Sequence, residues 1–176
     1  MSVLGRGRVS CVPACRPWGC KLVLIACFAI LLTGRVDPAA AKVRITGLND
    51  VSFGTISNLT VDAVQSQSIC IYSNGPAQTY SVRANGSGGG GTFTLSSGVA
   101  TLGYEIRWNS QAGQSNGTAL TAGSSLSGQT TNAQNQTCST GPSATASLIV
   151  TLPATSISSA TAGTYSGTLT IIVAEE

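Results

Sequence analysis

From Val43 onward, apolar and polar residues alternate in short runs separated by Gly, Ser and Asn. A period of two sends successive side chains to opposite faces, as in a strand covered on one face only. Val43 and Ile45 in VRITGL, and Val51 and Phe53 in VSFGTI, predict two opening strands, with Gly47 and Gly54 as bends. Next comes LTVDAVQSQSICIYS, with Leu59, Val61, Ala63, Ile69 and Ile71 in one phase and Val64 interrupting it. Tyr80 and Val82 share a face, as do Phe93 and Leu95, and then Leu102, Tyr104, Ile106 and Trp108. Leu148, Val150 and Leu152 mark a later strand. The chain closes on Tyr165, Leu169, Ile171 and Val173, an apolar face that runs almost to Glu176. Many short strands with one apolar face each predict an all-β, two-sheet sandwich.

Two tracts break the alternation. NGSGGGG, residues 85–91, reads as a flexible hairpin loop. It lacks the following Lys and helix that a phosphate-cradling loop needs. Residues 110–145 are rich in Ser, Gly, Gln, Asn and Thr, with Leu120 and Leu126 as the large apolar residues. That composition predicts a long excursion with one or two short edge strands, pinned at Cys138.

The first 41 residues follow another logic. Arg6, Arg8, Arg16 and Lys21 precede the apolar run Leu22 to Leu32, and Ala39 and Ala41 fit a small-x-small cleavage rule. This reads as a secretory signal peptide cut after Ala41; the apolar run is too short for an ordinary membrane-spanning helix. Residues 42–176 then make one domain with no membrane span. The formal charge of +3 belongs to the whole chain. Beyond Ala41, four basic residues (Lys42, Arg44, Arg83, Arg107) face five acidic ones (Asp50, Asp62, Glu105, Glu175, Glu176), a net charge of −1. No electrostatic footprint for nucleic acid follows from that.

Cysteines thin out in the same way, and only Cys70 and Cys138 lie beyond the signal. An even pair in an exported chain, without histidine or a C-x-x-C motif, predicts a structural disulfide rather than a metal site. Closing so long a loop stabilises by about 4 kcal/mol on the chain-entropy account.

Enzymatic chemistry has little to draw on. The chain contains no histidine, so the commonest general base is missing. Glu105 alternates with Tyr104 and Ile106 and so should face solvent, and nothing in the spacing pairs two acids for glycoside hydrolysis. Trp108 keeps the phase of its apolar neighbours and reads as core, which leaves little for a sugar-binding surface. No catalytic residue, metal or cofactor is expected.

Several stretches together resemble a known family: VSFG near the start, SICIYSNGP around Cys70, YSVRANGSGGGGTFTLSSGVATLGYEIRWN, and AGTYSGTLTIIV at the end. From about Val43 to Val173 the chain is similar to the spore coat protein U domain, which is also the pilin module of archaic, Csu-type chaperone–usher pili. The resemblance implies an immunoglobulin-like sandwich that lacks its last strand and is completed by a donor strand. It implies a periplasmic chaperone, an outer-membrane usher and other pilin subunits as partners, and transit through the periplasm to a surface fibre serving adhesion and biofilm formation. Tyr165, Leu169, Ile171 and Val173 would line one wall of the partner-strand groove, and Val43, Ile45, Val51 and Phe53 the other. Gly167 stands where relatives often carry Asp. KVRITGL, with Val43 and Ile45, is either a short donor segment or the first strand of the sandwich. The alternative function is a self-contained secreted sandwich acting as a surface, matrix or carbohydrate-binding protein.

Overall fold

The computed structural model describes residues 42–176; the expected signal peptide and its cleavage point lie outside the described residues. In chain order the strands are β1 (Val43–Thr46), β2 (Ala63–Ser73), β3 (Thr79–Gly86), β4 (Thr94–Ser97), β5 (Ala100–Gly103), β6 (Glu105–Asn109), β7 (Thr118–Ala119), β8 (Ser125–Thr130), β9 (Ala146–Leu152) and β10 (Leu169–Glu175). Among the described residues one short α-helix, α1 (Ala154–Ser159), sits between β9 and β10.

The strands form a five-stranded sheet in the order β1-β2-β9-β6-β7, a three-stranded sheet β10-β3-β8, and the hairpin β4-β5. Pairing is antiparallel throughout. An immunoglobulin-type sandwich places its first, second, fifth and fourth strands on one sheet and its third, sixth and seventh on the other. β1, β2, β9 and β6 occupy the first set of positions; β3 and β10 are the third and sixth. The protein is therefore an all-β, immunoglobulin-like sandwich. No described residue pairs with the outer edge of β10, where a seventh strand would lie.

The core is made by the faces the alternation predicts. Ile69 and Ile71 from β2, Tyr80, Val82 and Ala84 from β3, and Ile106 and Trp108 from β6 are each at most 1% exposed. Trp108 Nε1 donates to Tyr80 Oη at 3.1 Å, and the two rings meet edge to face at 6.3 Å. This bond ties the two sheets together and satisfies two polar atoms that would otherwise be buried without partners. The Cys70–Cys138 disulfide forms, with Cα atoms 5.9 Å apart, and pins the long β8–β9 connection to β2.

Two expectations change. VSFGTI is not a strand: residues 47–62 form no ladder, because Gly47 and Gly54 take left-handed φ values of +83° and +61° and turn the chain out of register. β9 is buried on all seven residues, not on the Leu148 face alone. It lies between β2 and β6, and the 110–117 loop folds over its outer side. Gly113 N–H there donates to Ser68 Oγ and Gln114 N–H to Ser147 Oγ, both at 2.9 Å. The polar tract supplies two short edge strands as expected: β7 beside β6, and β8 paired with β3.

Candidate partner-strand groove

β1 and β10 are the edge strands of opposite sheets and lie side by side without hydrogen-bonding to one another. Their directions follow from their ends. β1 starts beside Asn74, whose N–H donates to the Lys42 carbonyl at 3.2 Å, while β10 ends beside Gly75, against the Glu175 side chain. The two strands thus run antiparallel along the mouth of the sandwich.

The lining comes from period-two alternation. Leu169, Ile171 and Val173 point inward and are half-buried, while Thr170, Ile172 and Ala174 point out. In register, Ile171 sits opposite Ala84 and Val173 opposite Val82. Those β3 partners are fully buried, whereas the β10 residues on the same face are not. The apolar face therefore extends one strand beyond its cover. Across the mouth, Val43 and Ile45 are likewise half-buried against the core, and Phe53 and Ile56 join them from the 47–62 segment.

The other expected residues fall as follows. Val51 is exposed, does not pack on the core, and lines a shallow depression with Asn49, Asp50, Gln65 and Gln67. Tyr165 packs against the core just before β10, and its hydroxyl donates to the Thr161 carbonyl at 2.8 Å. A tyrosine so bound at the turn into the sixth strand is the corner that immunoglobulin-like folds use to fix that strand's entry. That bond fixes the approach to β10, while the residue stays among the half-buried apolar ones packed on the core, with Leu169, Ile171 and Val173. Val43–Thr46 is placed as the first strand of the sandwich, paired with Thr46 opposite Cys70 and Val43 opposite Ser73. Ile56 was missed, although its position three residues after Phe53 is the signal of a turning, unpaired segment.

The electrostatics are confined to the ends. Arg44 points outward, with Nη1 donating to Gln136 Oε1 at 3.3 Å. Glu176 accepts the Gly128 N–H at 2.7 Å, and Thr79 Oγ1 donates to its main-chain oxygen at 2.8 Å. The Gly128 N–H, and after it the Ser127 hydroxyl, hold the Glu176 carboxyl below its ordinary value. On β10 the half-buried face is apolar from Leu169 to Val173 and ends on Glu175, half-buried beside Gly75, so the mouth suits an apolar strand along most of its length.

Among the described residues, no group of three His, Cys, Asp or Glu side chains is placed to hold a metal, and no helix is long and apolar enough to cross a membrane.

The sequence matches no protein-family model and no curated protein. The fold is similar to a chain in the CsuC–CsuE chaperone–tip adhesion subunit pre-assembly complex from archaic chaperone–usher Csu pili of Acinetobacter baumannii. The two are 25% identical with a TM-score of 0.40, over 76% of this chain and 39% of that one. This chain thus spans well under half the length of its structural neighbour.

Proposed function

We propose that this protein is a non-enzymatic structural subunit of a bacterial surface fibre, completed by a strand from another chain. The observation that carries the reading is the outer edge of β10, unpaired among the described residues and lined by half-buried Leu169, Ile171 and Val173, with Val43 and Ile45 opposite. A seven-residue edge without Lys, Pro or a bulge is one that natural sheets normally protect. Strand addition protects it: main-chain hydrogen bonds extend the sheet, and alternate apolar side chains of the added strand fill the mouth. The sequence resemblance supports the same route, with a periplasmic chaperone supplying the strand in transit, an usher exporting the subunit, and a neighbouring subunit taking the chaperone's place. In this reading the chain is an acceptor, because β1 is engaged in its own sheet, and the fibre serves attachment and biofilm formation.

The test is export of the full chain into a bacterial periplasm with and without a chaperone of this class. We expect a one-to-one complex with the chaperone, and aggregation or proteolysis without it. A soluble, thermally stable monomer that ignores the chaperone would overturn the proposal and favour a self-contained secreted sandwich.

A further inference from the structure

The chain contains three Asn-Gly dipeptides within the described residues, at Asn74, Asn85 and Asn116. Such pairs are chemically vulnerable, since glycine leaves the following nitrogen unhindered to attack the asparagine side chain. The fold treats the three differently. Gly75 is buried, and its N–H donates to Ser73 Oγ. Gly86 lies within β3, opposite Leu169. Asn116 is exposed at the neck of the 110–117 loop, and the Gly117 N–H approaches its own neighbour's Oδ1 to 2.8 Å.

Two further features act on the same amide. Arg107 Nη1 donates to Asn116 Oδ1 at 3.2 Å, so a guanidinium already faces the oxygen on which negative charge would develop. Asn109 Nδ2 holds the Asn116 carbonyl at 3.0 Å, fixing the backbone at that turn. Glycine at 117 is also required sterically: a Cβ there would come within 2.3 Å of the Trp108 carbonyl oxygen. The loop's close return to β6 therefore enforces the residue that makes Asn116 reactive.

We infer that Asn116 is a self-modification site, converted to aspartate or isoaspartate by its own neighbour. The deprotonated Gly117 nitrogen attacks Asn116 Cγ, and Oδ1 carries the charge against Arg107. The bond from Cγ to Nδ2 breaks, and the nitrogen leaves as ammonia after taking a proton from solvent. Water then opens the five-membered imide at either carbonyl. No oxidant or enzyme is needed. The aspartate product places a carboxylate beside Arg107, which is already 3.5 Å from Glu105, while the isoaspartate product lengthens the main chain at the loop neck.

The experiment is timed incubation of the native exported chain in mildly alkaline buffer. Peptide mass mapping with fragmentation then separates Asn, Asp and isoAsp at each dipeptide. Asn116 should convert ahead of Asn74 and Asn85, and that preference should vanish in chain unfolded with urea. Arg107→Gln should slow Asn116 on the order of tenfold, less than loss of a buried oxyanion donor costs, and leave the other two sites unchanged. An intact Asn116 beside a converted Asn74 or Asn85, a preference that survives urea, or an Arg107→Gln rate equal to wild type would each overturn the inference.

Discussion

Ile171→Asp separates a groove wall from ordinary core. In the free chain Ile171 is half-buried on an edge strand, so an aspartate there still reaches water. Truncating a fully buried aliphatic side chain costs 2–5 kcal/mol, and about half of that, roughly 1–2 kcal/mol, is expected here. Beneath an added strand the same carboxylate is sealed without a partner, at a cost of about 3–5 kcal/mol. Binding should therefore weaken by at least about 3 kcal/mol, or roughly a hundredfold in Kd. Thr170→Asp is the control, because Thr170 faces outward from the same strand. Each variant is refolded at low concentration and titrated with a fluorescent peptide of alternating apolar residues, read by anisotropy, with a thermal melt to verify folding. A folded Ile171→Asp chain with unchanged Kd, or a Thr170→Asp chain weakened equally, would refute the groove.

Other outcomes follow from the same geometry. Tyr80→Phe leaves the buried Trp108 Nε1 donor without its acceptor and should cost about 1–3 kcal/mol in urea unfolding; a loss below half a kcal/mol would contradict that bond. Burial pushes the Tyr80 hydroxyl up to about 12, the Trp108 bond opposing. Its stabilising share is whole below the unfolded value near 10 and fades as pH rises toward 12, so ultraviolet titration should show Tyr80 ionising last or with unfolding. Reducing Cys70–Cys138, whose partners are 68 residues apart, should lower stability by about 4 kcal/mol, measured by urea unfolding with and without reductant. The Glu176 carboxyl is depressed, so its bond to Gly128 persists above the ordinary carboxylate value and is lost as pH falls through the lowered one. The Gly128 amide resonance should follow that titration, and Glu176→Gln should abolish it.

What could be read from the sequence tracks how many faces each strand buries. β3, β6 and β10 bury one face, so Tyr80 with Val82, Ile106 with Trp108, and Ile171 with Val173 appeared in phase. β9 buries both faces, and Ser147, Ile149 and Thr151 carried no sign of it because their cover comes from neighbouring strands and a distant loop. β8 was faint because Leu126 is its one large apolar residue. The C-terminal wall of the candidate groove was legible, as were Val43, Ile45 and Phe53 across from it, but Ile56 was not and Val51 was misplaced. Period two put Val51 and Phe53 on one face; without a ladder to impose that period, Phe53 and Ile56 turn inward and Val51 turns out. Alternation put Tyr165 on the apolar face, where it is half-buried, but could not show its hydroxyl bond to Thr161, which is a tertiary fact.

The complete burial of β9 divides the molecule's stability into a permanent share and an exchangeable one. The strands that flank β9 are held by paired ladders, while the disulfide locks the β8–β9 connection onto β2, at a distance in sequence from β10. Whatever covers the β10 edge can come and go at one margin while the register of the central strands stays fixed, since local opening draws on the least buried elements first. On the proposed reading, a strand could be exchanged at the β10 edge without disturbing β9, the central strand of the opposite sheet.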